Sequence, residues 1–210
     1  MSWTANGSNA TIGHGLGSVP KMILLKCRTQ GDKWIVYNSK IGNTKYLVLN
    51  ATDAETTSST HFNNTSPTSS VFSTGTSGNV SGTGETFIAY CFAEKKGYSK
   101  FGSYKGNGNA NGSFIYTGFK PAFIMQKKTS GTSDWVIYDN KRDPSNIVTQ
   151  ELKPNSSGAE SSFTNIDILS NGFKQRADYA YTNNSGGSYI YMAFAESPFT
   201  NSNGIPNNAR

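Results

Sequence analysis

The phrase FIAYCFAE at residues 87–94 returns as YIYMAFAE at residues 189–196. Both copies are almost wholly apolar and both end in Phe-Ala-Glu. Because apolar residues fill both alternating sets of positions, this closing phrase predicts a central β-strand with both faces covered. A strand written twice, 102 positions apart, indicates an internal repeat, which has to be recognised before a fold is assigned.

Other landmarks repeat in the same order, each 101 positions apart. They are Pro20 with Pro121, Trp34 with Trp135, and Tyr37 with Tyr138. The offset of the closing phrase is one residue larger, which is the small change in loop length expected between duplicated units. We therefore interpret the chain as a tandem duplication, with unit 1 at 1–100, unit 2 at 101–199 and a flexible C-terminal tail at 200–210.

The composition favours short strands over helices. Of the 210 residues, 35% are hydrophobic, 12% are aromatic and 22 are glycine, a mixture typical of strands joined by polar turns. Runs such as WIVYN at 34–38 and WVIYD at 135–139 predict strands, and no stretch has the spacing of an amphipathic helix. The predicted fold is all-β, with two tandem homologous β-sandwich units of about 100 residues. The spacing leaves open whether these units are separate or fused into one pseudo-twofold sandwich.

The charge excludes some partners. The formal net charge is +6, but the basic residues are scattered, and KKGYSK at 95–100 is the only dense run. A nucleic-acid-binding protein would show a basic stripe or a recognisable motif, so we expect no nucleic acid partner. The sequence has no run of about 18 apolar residues, so we expect no membrane insertion. The chain as given is expected to be soluble and to carry no secretion signal.

No motif predicts catalysis, a metal or a cofactor. His14 and His61 stand apart from any HExxH motif or cysteine pair. The chain contains no G-x-S-x-G turn and no phosphate-binding loop. Cys27 and Cys91 lie inside apolar runs and are expected to be free, buried thiols. We therefore expect no enzyme, with no catalytic residues, no metal site and no cofactor.

A glycosidase needs only two carboxylates at the correct separation, and these leave no local sequence motif. Glu94 and Glu196 end the two closing phrases and form such a candidate pair. A position duplicated with its scaffold is more readily explained as structural, however. Asp139 and Asp143, in YDNKRDPSN, are expected to make turns, and a calcium ion in this loop is the alternative.

Aromatic side chains in polar surroundings are the best candidates for recognition, since sugar rings stack on aromatic faces. Trp34 and Trp135 are repeated within strands and are expected to be core residues. The candidate ligand contacts are Tyr98, Lys100, Tyr104, Tyr179 and Tyr181.

Several ordered strings resemble a known family. They are GHGLGSVPKMILLK at 13–26, KYLVLNATDAETT at 45–57, FIAYCFAEKKGYSKFGSY at 87–104, GSFIYTGFKPAFIMQKK at 112–128 and WVIYDNKRDPSN at 135–146. Together they resemble a duplicated β-repeat family of marine bacteriophage virion appendage proteins, which are tail-fibre-like.

The resemblance implies a non-enzymatic virion surface protein, most directly a tail-fibre-like or appendage module that adheres to a host-surface glycan. It also implies location on the particle surface, contact with other virion proteins, and a homo-oligomeric or lattice-bound state. The alternatives are a capsid decoration protein and, with less support, a carbohydrate-active depolymerase. Sequence that differs between the units, such as Lys95-Lys96-Gly97 against Ser197-Pro198-Phe199, is where a unit-specific role is expected.

Overall fold

The structure, a computed structural model, describes residues 1–31 and 33–201, so the predicted tail at 200–210 lies almost entirely outside the described residues. The chain divides into unit 1, Met1–Ala93, and unit 2, which begins at Glu94. The sequence placed this boundary at residue 100, inside a strand (Ser99–Lys105) that pairs within unit 2. Strand pairing, which composition does not reveal, places the boundary between Ala93 and Glu94, the last two residues of the first closing phrase.

Unit 1 is built from short strands and two helical turns. Its elements are β1 (Ser2–Thr4), β2 (Ala10–Gly13), β3 (Pro20–Cys27), β4 (Ile35–Asn38), β5 (Lys45–Val48), β6 (Thr56–Thr57), α1 (Ser59–Phe62), β7 (Val71–Thr74), α2 (Gly78–Ser81) and β8 (Thr86–Ala93).

Unit 2 repeats most of this order without the helices. Its elements are β9 (Ser99–Lys105), β10 (Phe114–Tyr116), β11 (Pro121–Lys128), β12 (Trp135–Asp139), β13 (Val148–Glu151), β14 (Ser161–Leu169), β15 (Gly172–Gln175) and β16 (Ser188–Ala195).

Each unit pairs its strands into two antiparallel sheets around its own core. In unit 1 the sheets run β1-β8-β3-β4-β5-β6 and β2-β7, and in unit 2 they run β12-β11-β16-β9 and β10-β15-β14-β13. Buried aromatic and aliphatic side chains fill both cores, with Phe72 and Phe87 in unit 1 and Phe173 and Ile166 in unit 2. The predicted all-β, sandwich-type fold is confirmed.

The closing phrases form the central strands β8 and β16. β8 pairs with β1 and β3, and β16 pairs with β9 and β11. Residues 189–193 of β16 are buried in succession, so both faces of that strand are covered as predicted. In β8, Phe87 and Ala89 are buried but Tyr90 is 47% exposed, so the same prediction is wrong for unit 1. An apolar residue on the outer face of a strand gains stability when another element packs over it. The local sequence of the strand does not show whether such an element is present.

The repeated prolines begin the neighbouring strands in both units. Pro20 lies opposite Ala93 and Pro121 lies opposite Ala195, and the register shifts directly after each proline. Because proline has no N–H to donate, it is tolerated at a strand's first residue beside such an irregularity. The two units therefore share the register of these strand pairs as well as the spacing of their residues.

The units diverge after their fourth main strand. Unit 1 forms α1, where the Ser58 hydroxyl accepts a hydrogen bond from the Thr60 N–H at 3.2 Å. Unit 2 instead forms the long strand β14, which pairs with β13 and draws that strand into the second sheet. The helices are four residues each, and the described part of the chain holds no helix of the length and hydrophobicity that a membrane crossing requires.

Two further core predictions each hold at only one of the two positions. Trp135 is buried as expected, but Trp34 is only half-buried and stacks on Tyr90, with ring centroids 6.2 Å apart. Cys27 is buried and free, whereas the free thiol of Cys91 is only half-buried, so its predicted full burial is wrong. Both departures lie near or on β8, the strand whose outer face is less covered than its apolar composition suggested.

His61, at the end of α1, is a buried titratable group. Its ring stacks on Tyr46 at 3.8 Å, and its Nδ1 lies 2.7 Å from the Ser58 hydroxyl. Burial, together with the nearby Lys33 ammonium, lowers the pKa of His61 from 6.5 to about 4. The folded state thus holds a neutral imidazole, while the unfolded chain takes up a proton once the pH falls below about 6.5.

The free energy of unfolding is therefore expected to fall between pH 6.5 and pH 4, by about 2 kcal/mol after allowance for solvent screening. Denaturant unfolding of the wild type and of His61→Gln across this range measures the effect. The variant retains polar atoms near Ser58 but cannot titrate, so its stability should change less with pH. Equal slopes for the two proteins would contradict the assignment.

Candidate functional site

Three aromatic side chains form a row on unit 2. Tyr179 and Tyr181 stack nearly parallel, with centroids 5.4 Å apart and an interplanar angle of 12°. Phe163, from β14, meets Tyr179 edge to face at 5.8 Å. Phe163 is 44% exposed and the two tyrosines are half-buried, so the row lies at the surface. We call Phe163, Tyr179 and Tyr181 the aromatic row.

A short turn after β15 presents the two tyrosines. The Tyr179 carbonyl accepts hydrogen bonds from the N–H groups of Thr182, at 3.1 Å, and Asn183, at 2.8 Å. Below the turn, the Tyr104 hydroxyl donates to the Thr182 carbonyl at 2.7 Å, and the Tyr189 hydroxyl donates to the Ala180 carbonyl at 2.8 Å. Core tyrosines of β9 and β16 thus hold the turn from beneath.

Asn183 ties this turn to the loop before β10. Its side chain is fully buried, and its Nδ2 lies 2.9 Å from three acceptors, namely the Asn107 Oδ1, the Asn109 carbonyl and the Ala177 carbonyl. Its Oδ1 accepts from the Asn107 N–H at 3.0 Å. A Cβ added at Gly112 would come within 2.8 Å of this Nδ2, so glycine is needed there for the close approach. One buried amide therefore fixes both loops.

Charged side chains lie at the Tyr181 end of the row. The Lys153 ammonium is 5.4 Å from the centre of the Tyr181 ring, within range of a cation–π contact. It also lies 3.0 Å from the Asp134 Oδ2 and 3.7 Å from the Oε1 of Glu151, whose carboxylate is fully buried. Asn155 donates to the other Asp134 oxygen at 2.8 Å. The aromatic row thus ends in an ion-pair network.

The protonation states of this network follow from its surroundings. Burial, and then the charge of Glu151, raises the pKa of Tyr181, so its hydroxyl stays neutral. Burial acts to raise the pKa of Asp134, but hydrogen bonds from Asn155 and Lys153 outweigh it and the pKa is lowered. For Lys153 burial is outweighed in the same way by Asp134, which raises the pKa of the ammonium. At neutral pH the site offers flat aromatic surface beside a fixed cation and a fixed anion.

The comparison with known families bears on the whole chain. The family described as "Domain of unknown function (DUF7483)" matches residues 1–198. The chain belongs to that family. Comparison with curated proteins and with solved structures gave no match. A single DUF7483 match spans both units of this chain.

Within this DUF7483 chain, the structure places the predicted ligand contacts in two regions. Tyr179 and Tyr181 form the row, and Tyr104 lies directly below them, half-buried, with its hydroxyl turned inward to the Thr182 carbonyl. Burial raises the pKa of Tyr104 well above its usual value. Tyr104 therefore supports the site, while its hydroxyl is not available to a ligand.

Tyr98, just before β9, and Lys100, near its first residue, lie at the other end of that strand from Tyr104. At the usual rise of a strand they are about 20 Å and about 13 Å from Tyr104. Tyr98 is exposed and packs edge to face on Phe194 at 5.7 Å. The Lys100 ammonium pairs with Glu94 at 2.8 Å. These two residues do not join the aromatic row.

Sequence reasoning missed several members of the site, among them Phe163, Lys153, Asp134 and Asn183. Phe163 lies in a polar stretch, SSFTN, and a single aromatic residue among polar neighbours is a sequence signal for an exposed ring. Lys153 and Asn183 have no sequence signal, since each is one of many similar polar residues and acquires its role from partners distant in sequence. The row is also specific to unit 2, because counting back 101 positions from Tyr179 and Tyr181 leads to Gly78 and Val80 of α2.

The carboxylates of the closing phrases have separate partners. Glu94 pairs with Lys100 at 2.8 Å, while Glu196 pairs with Lys120 at 3.0 Å and accepts from Asn140 at 2.6 Å. Asp139 accepts from the N–H groups of residues 141 and 142, as a turn-making aspartate does. Within residues 1–31 and 33–201, no three His, Cys, Asp or Glu side chains converge in a metal-binding arrangement.

Proposed function

We propose that this protein is a non-enzymatic surface protein of a bacteriophage virion, a tail-fibre-like or appendage module that adheres to a host-surface glycan through the aromatic row of unit 2. The observation that carries the glycan-binding part is the row itself, a partly exposed run of Phe163, Tyr179 and Tyr181 that ends at the Lys153–Asp134 ion pair. The virion part is supported by the sequence resemblance to phage appendage proteins.

The chemistry of the row suits a saccharide. One face of a pyranose ring carries C–H groups that pack on the aromatic π-surface, and its rim carries hydroxyls that donate and accept hydrogen bonds. Asp134 supplies an acceptor and Lys153 a donor at one end of the row. Convergent polar groups beside aromatic surface are the usual composition of a small-ligand site.

The rigidity of the site also favours binding. Tyr104, Tyr189 and Asn183 hold the turn that carries the two tyrosines. Little conformational entropy is then lost when a ligand settles on the rings, and preorganisation of this kind strengthens binding. Adhesion requires no bond to be broken, and the row offers contact surface rather than a nucleophile.

Replacing Tyr179 with alanine is expected to weaken glycan binding by about tenfold or more, because Tyr179 is the central ring and contacts both neighbours. An array of bacterial surface polysaccharides identifies the ligand, and titration calorimetry with the best binder measures the affinity. Tyr116→Ala is the matched control, since Tyr116 is 63% exposed on β10, outside the row. Equal loss in both variants, or no loss in Tyr179→Ala, would refute the assignment of the row.

Two further outcomes separate the alternatives. If the protein sediments with particles in capsid-like copy number, and its removal leaves host adsorption unchanged, the role is capsid decoration rather than adhesion. If the pure protein shortens a bound polysaccharide, and Glu94→Gln or Glu196→Gln abolishes the shortening, the role is that of a depolymerase. Particle-bound protein at tail-like copy number, with adsorption lost on its removal, supports the proposal.

A further inference from the structure

A small cavity lies at one end of unit 2, between its two sheets. Its volume is about 70 Å³, room for about two waters. Lys120 precedes β11 and Asn140 follows β12 in one sheet, while Val148 of β13 and Ile168 of β14 belong to the other. The aromatic row starts at the opposite end of β14, so the cavity is a different place in the fold.

One buried acceptor in this cavity has no partner. Asn140 is 8% exposed, and its Nδ2 donates to the Glu196 Oε1 at 2.6 Å. That bond fixes the amide orientation, and the Asn140 Oδ1 is left without a hydrogen-bond partner among the residues that the structure describes. A buried acceptor without a partner costs about 1–3 kcal/mol, so an occupant that donates a hydrogen bond is favoured there.

The charges around the cavity select the kind of occupant. The Lys120 ammonium lies 3.0 Å from the Glu196 Oε2, and Asp143 adds a second carboxylate to the wall. Hydrogen bonds to Asp143, first from the Thr149 N–H, lower the pKa of that carboxyl, so it remains ionised. A metal cation would enter beside the Lys120 ammonium, and an anion would enter beside Asp143. A neutral group that both donates and accepts avoids both repulsions.

The walls fit such a group. Val148 and Ile168 provide apolar surface for C–H groups, while Asn140 and Asp143 provide acceptors and Lys120 provides a donor. A vicinal diol carries two hydroxyls on adjacent carbons and matches this alternation of polar and apolar contacts. The volume admits only the edge of a larger molecule, such as two neighbouring hydroxyls of a sugar.

We infer that this cavity is a second binding site, which takes the vicinal hydroxyls of a neutral polyol or sugar, with one hydroxyl donating to the Asn140 Oδ1. The site does not depend on the aromatic row or on the function proposed for it. It is also specific to unit 2, because Val19, Ser39 and Gly42 stand 101 positions before Lys120, Asn140 and Asp143.

Titration of the ¹⁵N-labelled full chain with glycerol, the simplest vicinal triol, tests the inference. We expect saturable shifts at the Asn140 side-chain amide and at the backbone amides of Asp143 and Asn146. Propan-1-ol has the same carbon chain but one hydroxyl, and it should produce no saturable shift at these positions. Saturation by both compounds alike, or by neither, would overturn the inference.

Variants separate this site from the aromatic row. Asn140→Ala is expected to weaken glycerol binding by about tenfold, the effect of one good hydrogen bond to a buried group. Lys120→Met, which keeps the length of a partly exposed side chain, should weaken it as well and serves where Asn140→Ala perturbs folding. Tyr179→Ala should leave glycerol binding unchanged. Undiminished binding in both cavity variants would disprove the site, whereas loss of glycan binding in Tyr179→Ala alone concerns the proposed function.

Discussion

Replacing Asn183 with alanine is expected to lower the free energy of unfolding of unit 2 by about 3 kcal/mol. The substitution leaves the Asn109 and Ala177 carbonyls and the Asn107 N–H without the partner that they have in the folded protein. Each buried polar group that loses its partner costs about 1–3 kcal/mol, partly recovered where water can enter. Hydrogen exchange of the β14 and β15 amides measures the loss in unit 2 separately from unit 1.

The neighbouring Asn184 provides the control. It is exposed, and Asn184→Ala removes only surface atoms, so its effect should stay within about 0.5 kcal/mol. Asn183→Ala should also weaken glycan binding, because the turn that carries Tyr179 and Tyr181 loses its tie to the loop before β10. Similar stability for the two alanine variants would show that the Asn183 network does not hold these loops.

Replacing Glu151 with glutamine is expected to destabilise unit 2 by about 3 kcal/mol, because the buried carboxylate is surrounded by donors. It accepts from the Tyr138 hydroxyl at 3.3 Å and from the Ser161 hydroxyl at 3.3 Å, and Lys153 lies 3.7 Å away. Glutamine has nearly the same shape, but its NH₂ group turns a donor toward these donors. Denaturant unfolding at neutral pH measures the change.

Glu160→Gln is the matched control for this prediction. Glu160 is exposed and pairs with Arg142 at 2.6 Å, so the loss of its charge should cost less than about 1 kcal/mol. If both glutamine variants are equally stable, then Glu151 is not the electrostatic centre of the network beneath Tyr181. A large effect of Glu151→Gln alone would show that the ion-pair end of the aromatic row is part of the folding core.

Comparison of the two units distinguishes the strands that both share from the site residues that only unit 2 contains. The strands β3, β4 and β8 of unit 1 recur as β11, β12 and β16 of unit 2 with matching neighbours. By contrast, the two tyrosines of the aromatic row and the cavity residues Lys120, Asn140 and Asp143 have no like residues at the matching positions of unit 1. A duplicated chain can keep one copy as framework while the loops of the other change, since loops tolerate substitution better than paired strands. The DUF7483 match covers both copies.

Tyr104 and Tyr179 illustrate how far sequence reasoning reached into the site. Both are tyrosines in polar surroundings, and both were predicted as ligand contacts for the same reason. The structure turns the Tyr104 hydroxyl inward to Thr182 and leaves Tyr179 at the surface between two rings. Local sequence does not distinguish them, because the difference depends on which loop covers β9.

The amino-acid sequence by itself determined the duplication, the all-β fold and the central place of the closing phrases. These properties can be recognised in the residue pattern alone. Strand formation follows from the spacing of apolar residues, and the duplication shows as a constant offset between matching residues. Only the tertiary structure decided that Phe163, Tyr179 and Tyr181 meet in one row with Lys153 at its end, and that Asn140 keeps an acceptor without a partner. Such contacts join residues far apart in the chain, and they depend on turns held by buried hydrogen bonds, such as those of Asn183, that no local pattern records.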